Sequence, residues 1–327
     1  MDFFDKLKTK AFKTRQIAQI AIKNFESLKK EVTSENIYDV LQEWINLNHE
    51  GGLNPRSIKQ YFNPIRSYLY HKGFKLHPQD IKENLNFPKI IEEEKYPLKL
   101  DEILLILDAV PYRKKALYLT LISSGMRIGE ACKITKKDID LSLKRPMIKI
   151  PAKITKTRRG RTTFISSEAW RFLQPIYTKT DQNETLFGAS AESEETIFAR
   201  YCDKIGFNAR YDSKIRKITL HSFRAYFITK ISRYDANIAK LLSGQRGYLL
   251  QYDRLTDEEK LESYLEFEKE LLVYDNTKLK QDLAKAKSEK ITLESMMEKL
   301  KEVDEIKQKV QELLDQKANI AQQSNNQ

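Results

Sequence analysis

The chain has 327 residues, 40% hydrophobic and 32% charged, and its 58 Lys+Arg against 46 Asp+Glu give a net charge of +12. Such a length allows two domains and an extension, and the basic balance points to a polyanion, most simply nucleic acid, though a basic soluble enzyme would share it. No apolar run reaches the ~18 residues of a membrane span, and the start, Met1-Asp2-Phe3-Phe4-Asp5, lacks the apolar core of a signal peptide. The two cysteines, Cys132 and Cys202, form neither a disulfide framework nor, with His49, His71, His77 and His221, a metal-spaced set. An intracellular protein without membrane association and without a structural zinc site is expected.

Residues 1–92 read as a helical domain. Residues 8–30 place Ile17, Ile20, Ala21, Phe25 and Leu28 near helical spacing. Thr33-Ser34-Glu35-Asn36 offers a helix start before Ile37, Val40, Leu41, Trp44 and Ile45, and Gly51-Gly52 stops that helix. Asn54-Pro55 opens another, carrying Ile58, Tyr61, Phe62, Ile65, Tyr68 and Leu69 to Gly73, with a kink expected at Pro64. Lys6, Lys8, Lys10, Lys13, Arg15, Arg56, Lys59 and Arg66 interleave with this pattern, as they would on a face meeting a DNA backbone or on any solvated helix.

The charged, apolar-poor stretch 93–97 reads as a linker. Residues 98–102 lead into a helix over 103–110, and a strongly apolar helix over 113–123 follows. Ser123-Ser124-Gly125-Met126-Arg127-Ile128-Gly129-Glu130 then allows a turn at the first glycine and sets Arg127 at a short helix start, where a phosphate also gains from free N–H groups. Glu130 can orient or neutralise a neighbouring arginine. Two β-rich runs, 147–150 and 162–165, bracket the basic segment 151–161, predicting a hairpin with a basic tip. A lysine held there could protonate a leaving oxygen or merely touch backbone.

A helix over 167–174, built around Trp170, Phe172 and Leu173, should end at Pro175, and another spans 196–205. The polar stretch 206–217 leads to Thr219-Leu220-His221-Ser222-Phe223-Arg224. His221 and Arg224, three residues apart, share one helix face. A guanidinium fork beside an imidazole suits an anionic oxygen centre such as phosphate. A tyrosine brought to the same centre could attack phosphorus.

Arg127 in a Gly-x-Arg-x-x-Glu setting, a lysine hairpin, His-x-x-Arg and a later tyrosine occur here in one order. Together they resemble the tyrosine recombinase (phage integrase) family. The resemblance covers residues 98–275 in its motifs, and residues 1–92 look like that family's helical core-binding domain. It implies a mainly α fold with a small β-sheet (α+β). It further implies that Arg127 and Arg224 clamp the scissile phosphate, that Lys156 is the hairpin lysine with Lys153 as fallback, and that His221 opens the second box. Thr155-Lys156-Thr157 with Arg161 five residues on is similar to the family's Lys…Arg pattern. Tyr252-Asp253-Arg254-Leu255-Thr256 resembles a Tyr-x-Arg-x-Thr variant of archaeal-type integrases, favouring Tyr252 as nucleophile. Tyr248 is the nearest rival, and Tyr264 and Tyr274 read as helix-packing aromatics.

The chain departs from the family in one place. Neither His nor Trp occurs after His221, and Leu241-Leu242-Ser243-Gly244-Gln245-Arg246 stands where a Gly-His-like box is usual. Gln245 or Arg246 would replace it, each able to donate to a phosphate oxygen, although Arg cannot serve as a base. The implied activity is site-specific DNA strand cleavage and rejoining through a 3′-phosphotyrosyl intermediate, with no cofactor and no metal. A DNA-binding protein of the same fold without cleavage, or a type IB topoisomerase-like enzyme, are the alternatives.

Residues 276–327 change character. Leu279, Ala286, Leu293, Leu300 and Leu314 fall on a seven-residue grid, with Lys307 at the missing step and Met296, Val303 and Val310 as companion seam. A coiled-coil-like helix joining subunits is expected, or one folded back on the body, with a disordered end over 322–327. The expected partners are double-stranded DNA and further copies of this chain, as a dimer to tetramer on DNA.

Overall fold

The computed structural model describes residues 2–245 and 254–275, together with Met296, Met297, Leu300 and Lys307. The heptad region and residues 246–253, which include Arg246, Tyr248 and Tyr252, otherwise lie outside the described residues. Two compact units emerge: residues 1–95 with 211–215, and residues 96–210 with 216–327. The division falls between Lys95 and Tyr96, inside the stretch read as a linker. The first unit also takes in 211–215, which sequence reasoning assigned to the other domain.

The first unit consists of α1 (Phe3–Lys6), α2 (Phe12–Glu26), α3 (Ile37–Glu50), α4 (Pro55–His71) and α5 (Pro78–Asn84). Residues at helical spacing on α2, α3 and α4 bury one face each, joining Ala21, Phe25, Leu41, Trp44, Ile58 and Ile65 in one core. Trp44 is fully buried and spends its only polar atom on the Asn24 side chain, at 2.7 Å. At the start of α4 the Asn54 side chain accepts from the Arg56 amide, and Pro55 occupies the first turn, where its missing N–H costs nothing. The helix runs unbroken through Pro64.

The second unit is built on a central buried helix. It contains α6 (Leu100–Asp108), α7 (Tyr112–Ser124), α8 (Ile128–Ala131), α9 (Ser167–Lys179), α10 (Ala191–Lys204), α11 (Leu220–Ile231), α12 (Ala236–Ser243) and α13 (Asp257–Phe267). A three-stranded antiparallel sheet of β1 (Ile139–Asp140), β2 (Met147–Ile150) and β3 (Arg161–Phe164) runs in the order β1-β2-β3. Every residue of α7 over 116–124 is buried, as expected of a helix apolar all round. α9 and α11 both pack on α7, and α12 packs on α11 and β3. The fold is thus mainly α with a small sheet.

Two helices run five residues or more beyond their expected bounds. α9 continues through Pro175 to Lys179, because Trp170, Tyr177 and the buried Leu173 keep packing along it. Tertiary burial outweighs the one amide bond a proline removes. α10 begins at Ala191, five residues before the apolar pattern, because Ser190 caps it by accepting from the Ser193 amide.

Among the described residues of this unit four carboxylates are buried, and each has at least one polar partner, although Glu194 leaves its Oε2 without a hydrogen bond. Glu168 accepts from the backbone amides of Val273, Tyr274 and Asp275 at 2.7, 2.8 and 3.0 Å. Glu268 receives Arg145 in a two-pronged contact at 2.8 and 2.9 Å, and the Ser167 amide at 2.7 Å. Glu194 pairs with Lys114. Glu130 belongs to the site.

Candidate active site

The site begins where α7 ends. Gly125 takes the left-handed conformation, φ +61°, as C-cap of α7. A Cβ there would stand 2.2 Å from the Phe227 ring of α11, so only glycine fits both the backbone and the contact. The turn brings Met126 into the core and delivers Arg127 as N-cap of α8. Glu130, one turn later, accepts from the Arg127 amide at 3.0 Å and from Arg127 Nη1 at 3.0 Å.

A second arginine completes the clasp on Glu130. Arg161 opens β3 and reaches Glu130 with Nη1 at 3.2 Å and Nη2 at 2.7 Å. Its Nε donates to the Leu242 carbonyl at the end of α12, at 2.9 Å. Burial alone would raise the Glu130 carboxyl, but Arg161, and then the Arg127 amide and charge, outweigh it and hold the group below the usual carboxylate range. Glu130 is therefore an anion shared by two cations.

Arg224 comes from α11, whose start is capped by the Ser222 hydroxyl receiving the Thr219 amide at 3.0 Å. Its guanidinium is buried, with 2% of the residue exposed, and donates through Nη1 to the Gly125 carbonyl. Among the described residues no carboxylate forms an ion pair with it. Desolvation first, then the charges of Arg127 and Arg161, lower its pKa to about 10, so it remains cationic at neutral pH. His221, three residues earlier, is exposed, unlike Arg224. Its pKa is lowered by desolvation and by the charges of Arg224 and Arg127, which favours the neutral imidazole. Arg224 is thus bonded to the turn residue two places before Arg127, and the charges of both arginines act on His221.

Lys156 stands exposed on the β2–β3 connection, five residues before Arg161. That connection is held by Thr155, whose hydroxyl accepts from the Arg159 amide at 3.1 Å, and by left-handed Arg158. Gly160 lets the chain pass the Ile150 carbonyl, which a Cβ would meet at 3.2 Å. Lys153 is likewise exposed. The contacts joining the hairpin to the arginine cluster run through Arg161. Gln245 is exposed directly after α12, its amide donating to the Lys240 carbonyl at 3.0 Å. Gly244 before it is left-handed, φ +68°. Tyr252 lies outside the described residues.

Tyr264 and Tyr274 serve packing. Tyr264 is fully buried and burial pushes its pKa well above the ordinary value. Tyr274 stacks on Phe172 and donates to Asp108 at 2.8 Å. Sequence reasoning missed the junction made by Arg161, reading it only as part of a lysine–arginine spacing. The available signal was Gly244 directly after an apolar helix, which marks a close turn needing a partner for its last carbonyls.

Residues 97–243 match the phage integrase family. The likeness to that family lies in this stretch of the chain. The chain is similar to tyrosine recombinase XerA of Thermococcus onnurineus (strain NA1), with 30% identity over 97 residues, 29% of this chain and 33% of that protein. The matched stretch thus spans about a third of that relative. Among solved structures, the integrase of transposon Tn1549 in complex with transposon right end DNA superposes with a TM-score of 0.60 at 18% identity, covering 79% of this chain and 96% of that one. The lambda integrase tetramer bound to a Holliday junction gives 0.58 at 15% identity, covering 78% and 77%. At these identities the likeness is one of fold, and it extends beyond the family match to most of the chain.

Proposed function

We propose that this protein is a site-specific DNA recombinase that cleaves and rejoins strands through a 3′-phosphotyrosyl intermediate. The observation that carries the reading is Arg224: a buried guanidinium, beside Arg127, with no carboxylate partner among the described residues. Buried charges are normally paired. Three guanidiniums, of Arg127, Arg161 and Arg224, face the single carboxylate of Glu130, which leaves a cationic centre suited to a phosphodiester.

Arg127 and Arg224 neutralise the non-bridging oxygens as the transition state gains charge. Tyr252 is the nucleophile. Its hydroxyl loses a proton as its oxygen bonds to phosphorus, and the bond to the 5′-oxygen breaks. Lys156 gives the proton to that oxygen, freeing a 5′-hydroxyl. His221, neutral, accepts or positions a proton, and Gln245 donates to a phosphate oxygen where the family usually has His or Trp. Rejoining reverses the sequence with the 5′-hydroxyl of a second strand, so phosphodiester energy is conserved in the tyrosyl ester.

The partners are double-stranded DNA and further copies of this chain. The basic composition supports the first, and the likeness to integrases solved on DNA as dimers and tetramers supports both. No described helix is long and apolar enough to cross a membrane, in keeping with a DNA-associated protein inside the cell.

The test uses nicked or supercoiled DNA carrying the cognate site, in EDTA. A covalent protein–DNA adduct on a denaturing gel, present for the wild type and missing for Tyr252→Phe, is expected. An adduct that persists in Tyr252→Phe moves the nucleophile to another tyrosine, Tyr248 first. No adduct on a verified site leaves DNA binding without cleavage, and an adduct abolished by the chelator contradicts the scheme.

A further inference from the structure

We infer that Arg161 is a positioning residue that sets the place of the α12 C-terminus, and with it Gln245, relative to the phosphate-binding Arg127. The inference rests on the recombinase reading above and goes beyond the clamp itself. Three N–H groups of Arg161 are committed: two to Glu130 and one to the Leu242 carbonyl. The residue is nearly enclosed, with 8% of its side chain exposed. Three of its five N–H groups are thus spent within the protein, which suits positioning rather than phosphate binding.

What it joins are three separate pieces of chain. Its backbone pairs with Ile150 at the root of the hairpin that carries Lys156. Its fork fixes the carboxylate that also receives Arg127 Nη1 and the Arg127 amide. Its Nε tethers one of the last carbonyls of α12, the negative end of that helix.

Gly244 shows how closely the turn is seated. A Cβ at this position would come within 2.8 Å of Arg161 Cδ and 2.9 Å of Nε and Nη1. The turn therefore rests on the arginine itself, and Gln245 follows immediately, its amide bonded back to the Lys240 carbonyl at 3.0 Å. Six residues separate Gln245 from Tyr252 in the sequence. A lysine at 161 keeps charge but offers one point contact in place of a fork, so it could not hold Glu130 and Leu242 together. In-line attack tolerates little error: a shift of about 1 Å can cost on the order of 100-fold in rate.

Two variants test this. Arg161→Lys loosens the junction. Gly244→Ala leaves Arg161 and Glu130 chemically intact and lifts the turn away from the guanidinium. Single-turnover adduct formation on a nicked site is measured beside DNA affinity, with hydrogen exchange at the Gly244 and Gln245 amides as a readout independent of chemistry. For both variants we expect adduct formation slower by about 10- to 100-fold, affinity within about twofold, and faster exchange at these two amides while α11 is unchanged. Unchanged rates, or affinity falling in step with rate, would overturn the inference. A wild type that forms no adduct refutes the recombinase reading instead, and the exchange data then decide: protection unchanged in both variants rejects the positioning role, and protection lost in both supports it.

Discussion

Tyr264 donates its hydroxyl hydrogen bond to the Ser123 carbonyl at 2.9 Å, across 141 residues of sequence. The contact ties α13 to the end of α7, two residues before the glycine turn that presents Arg127. The ring is fully buried between Phe164 and Phe267, each at a centroid distance of 5.3 Å. Such a tyrosine can reach no phosphate, and burial disfavours its phenolate. Tyr264→Phe should therefore cost about 1–2 kcal/mol of stability, the worth of one buried hydrogen bond with its acceptor left wanting, yet still form the covalent DNA adduct. Urea unfolding and the adduct gel check both halves, and a Tyr264→Phe protein that folds but forms no adduct would sink this assignment.

Gly125→Ala meets two obstacles together. The φ of +61° disfavours any side chain, and the Phe227 ring occupies the space a Cβ needs. Phe227 is itself fully buried and cannot swing outward. Strain and overpacking together should lower stability by about 2–4 kcal/mol. A loss under about 0.5 kcal/mol in urea unfolding, a typical surface value, would mean that the turn relaxes freely.

The leaving oxygen offers a direct test of Lys156. If the ammonium supplies its proton, Lys156→Ala should slow adduct formation by about 10²- to 10⁴-fold on ordinary DNA. With sulfur in place of the bridging 5′-oxygen the leaving group is a thiolate, whose pKa near 8.5 removes the need for an acid, so the variant should match the wild type. Lys153→Ala should be neutral on both substrates. A defect in Lys156→Ala that persists on the sulfur substrate would reassign the lysine to DNA contact.

Two buried glutamates should give opposite pH dependences. The Glu130 pKa is depressed, so its stabilisation is present above the unfolded carboxylate value and lost as pH falls through the lower folded one. Glu168 is raised, chiefly by desolvation and against the three amides it receives. Its contribution is full below the unfolded value and fades as pH rises through the higher folded one. Glu130→Gln should therefore be most damaging near pH 7 and less so towards pH 3, and Glu168→Gln the reverse. Urea midpoints across that range decide it; parallel slopes for the two variants would be the contrary result.

Much of the site could be read along the chain because its parts are local. Glycine before Arg127, Glu130 one turn on, and His221 three residues from Arg224 are spacings that a helix or a tight turn converts directly into geometry. In the first unit α2, α3 and α4 were legible for the same reason, since their buried faces repeat at helical period, whereas the short α1 and α5 were not. The run past Pro175 was not, because it depends on what α9 packs against and not on the proline itself.

By itself the sequence determined the residue types able to hold a phosphodiester, their order, the basic charge and the mainly helical class. These follow from side-chain chemistry and short-range periodicity, which need no knowledge of distant partners. Only the tertiary structure decided that Arg224 is buried without a carboxylate partner among the described residues while His221 is exposed, and that Glu130 is shared by Arg127 and Arg161. It alone showed that Arg161 carries the end of α12 across 81 residues of sequence. Burial and long-range hydrogen bonding depend on which surfaces meet once the core has formed, and no local pattern encodes that meeting.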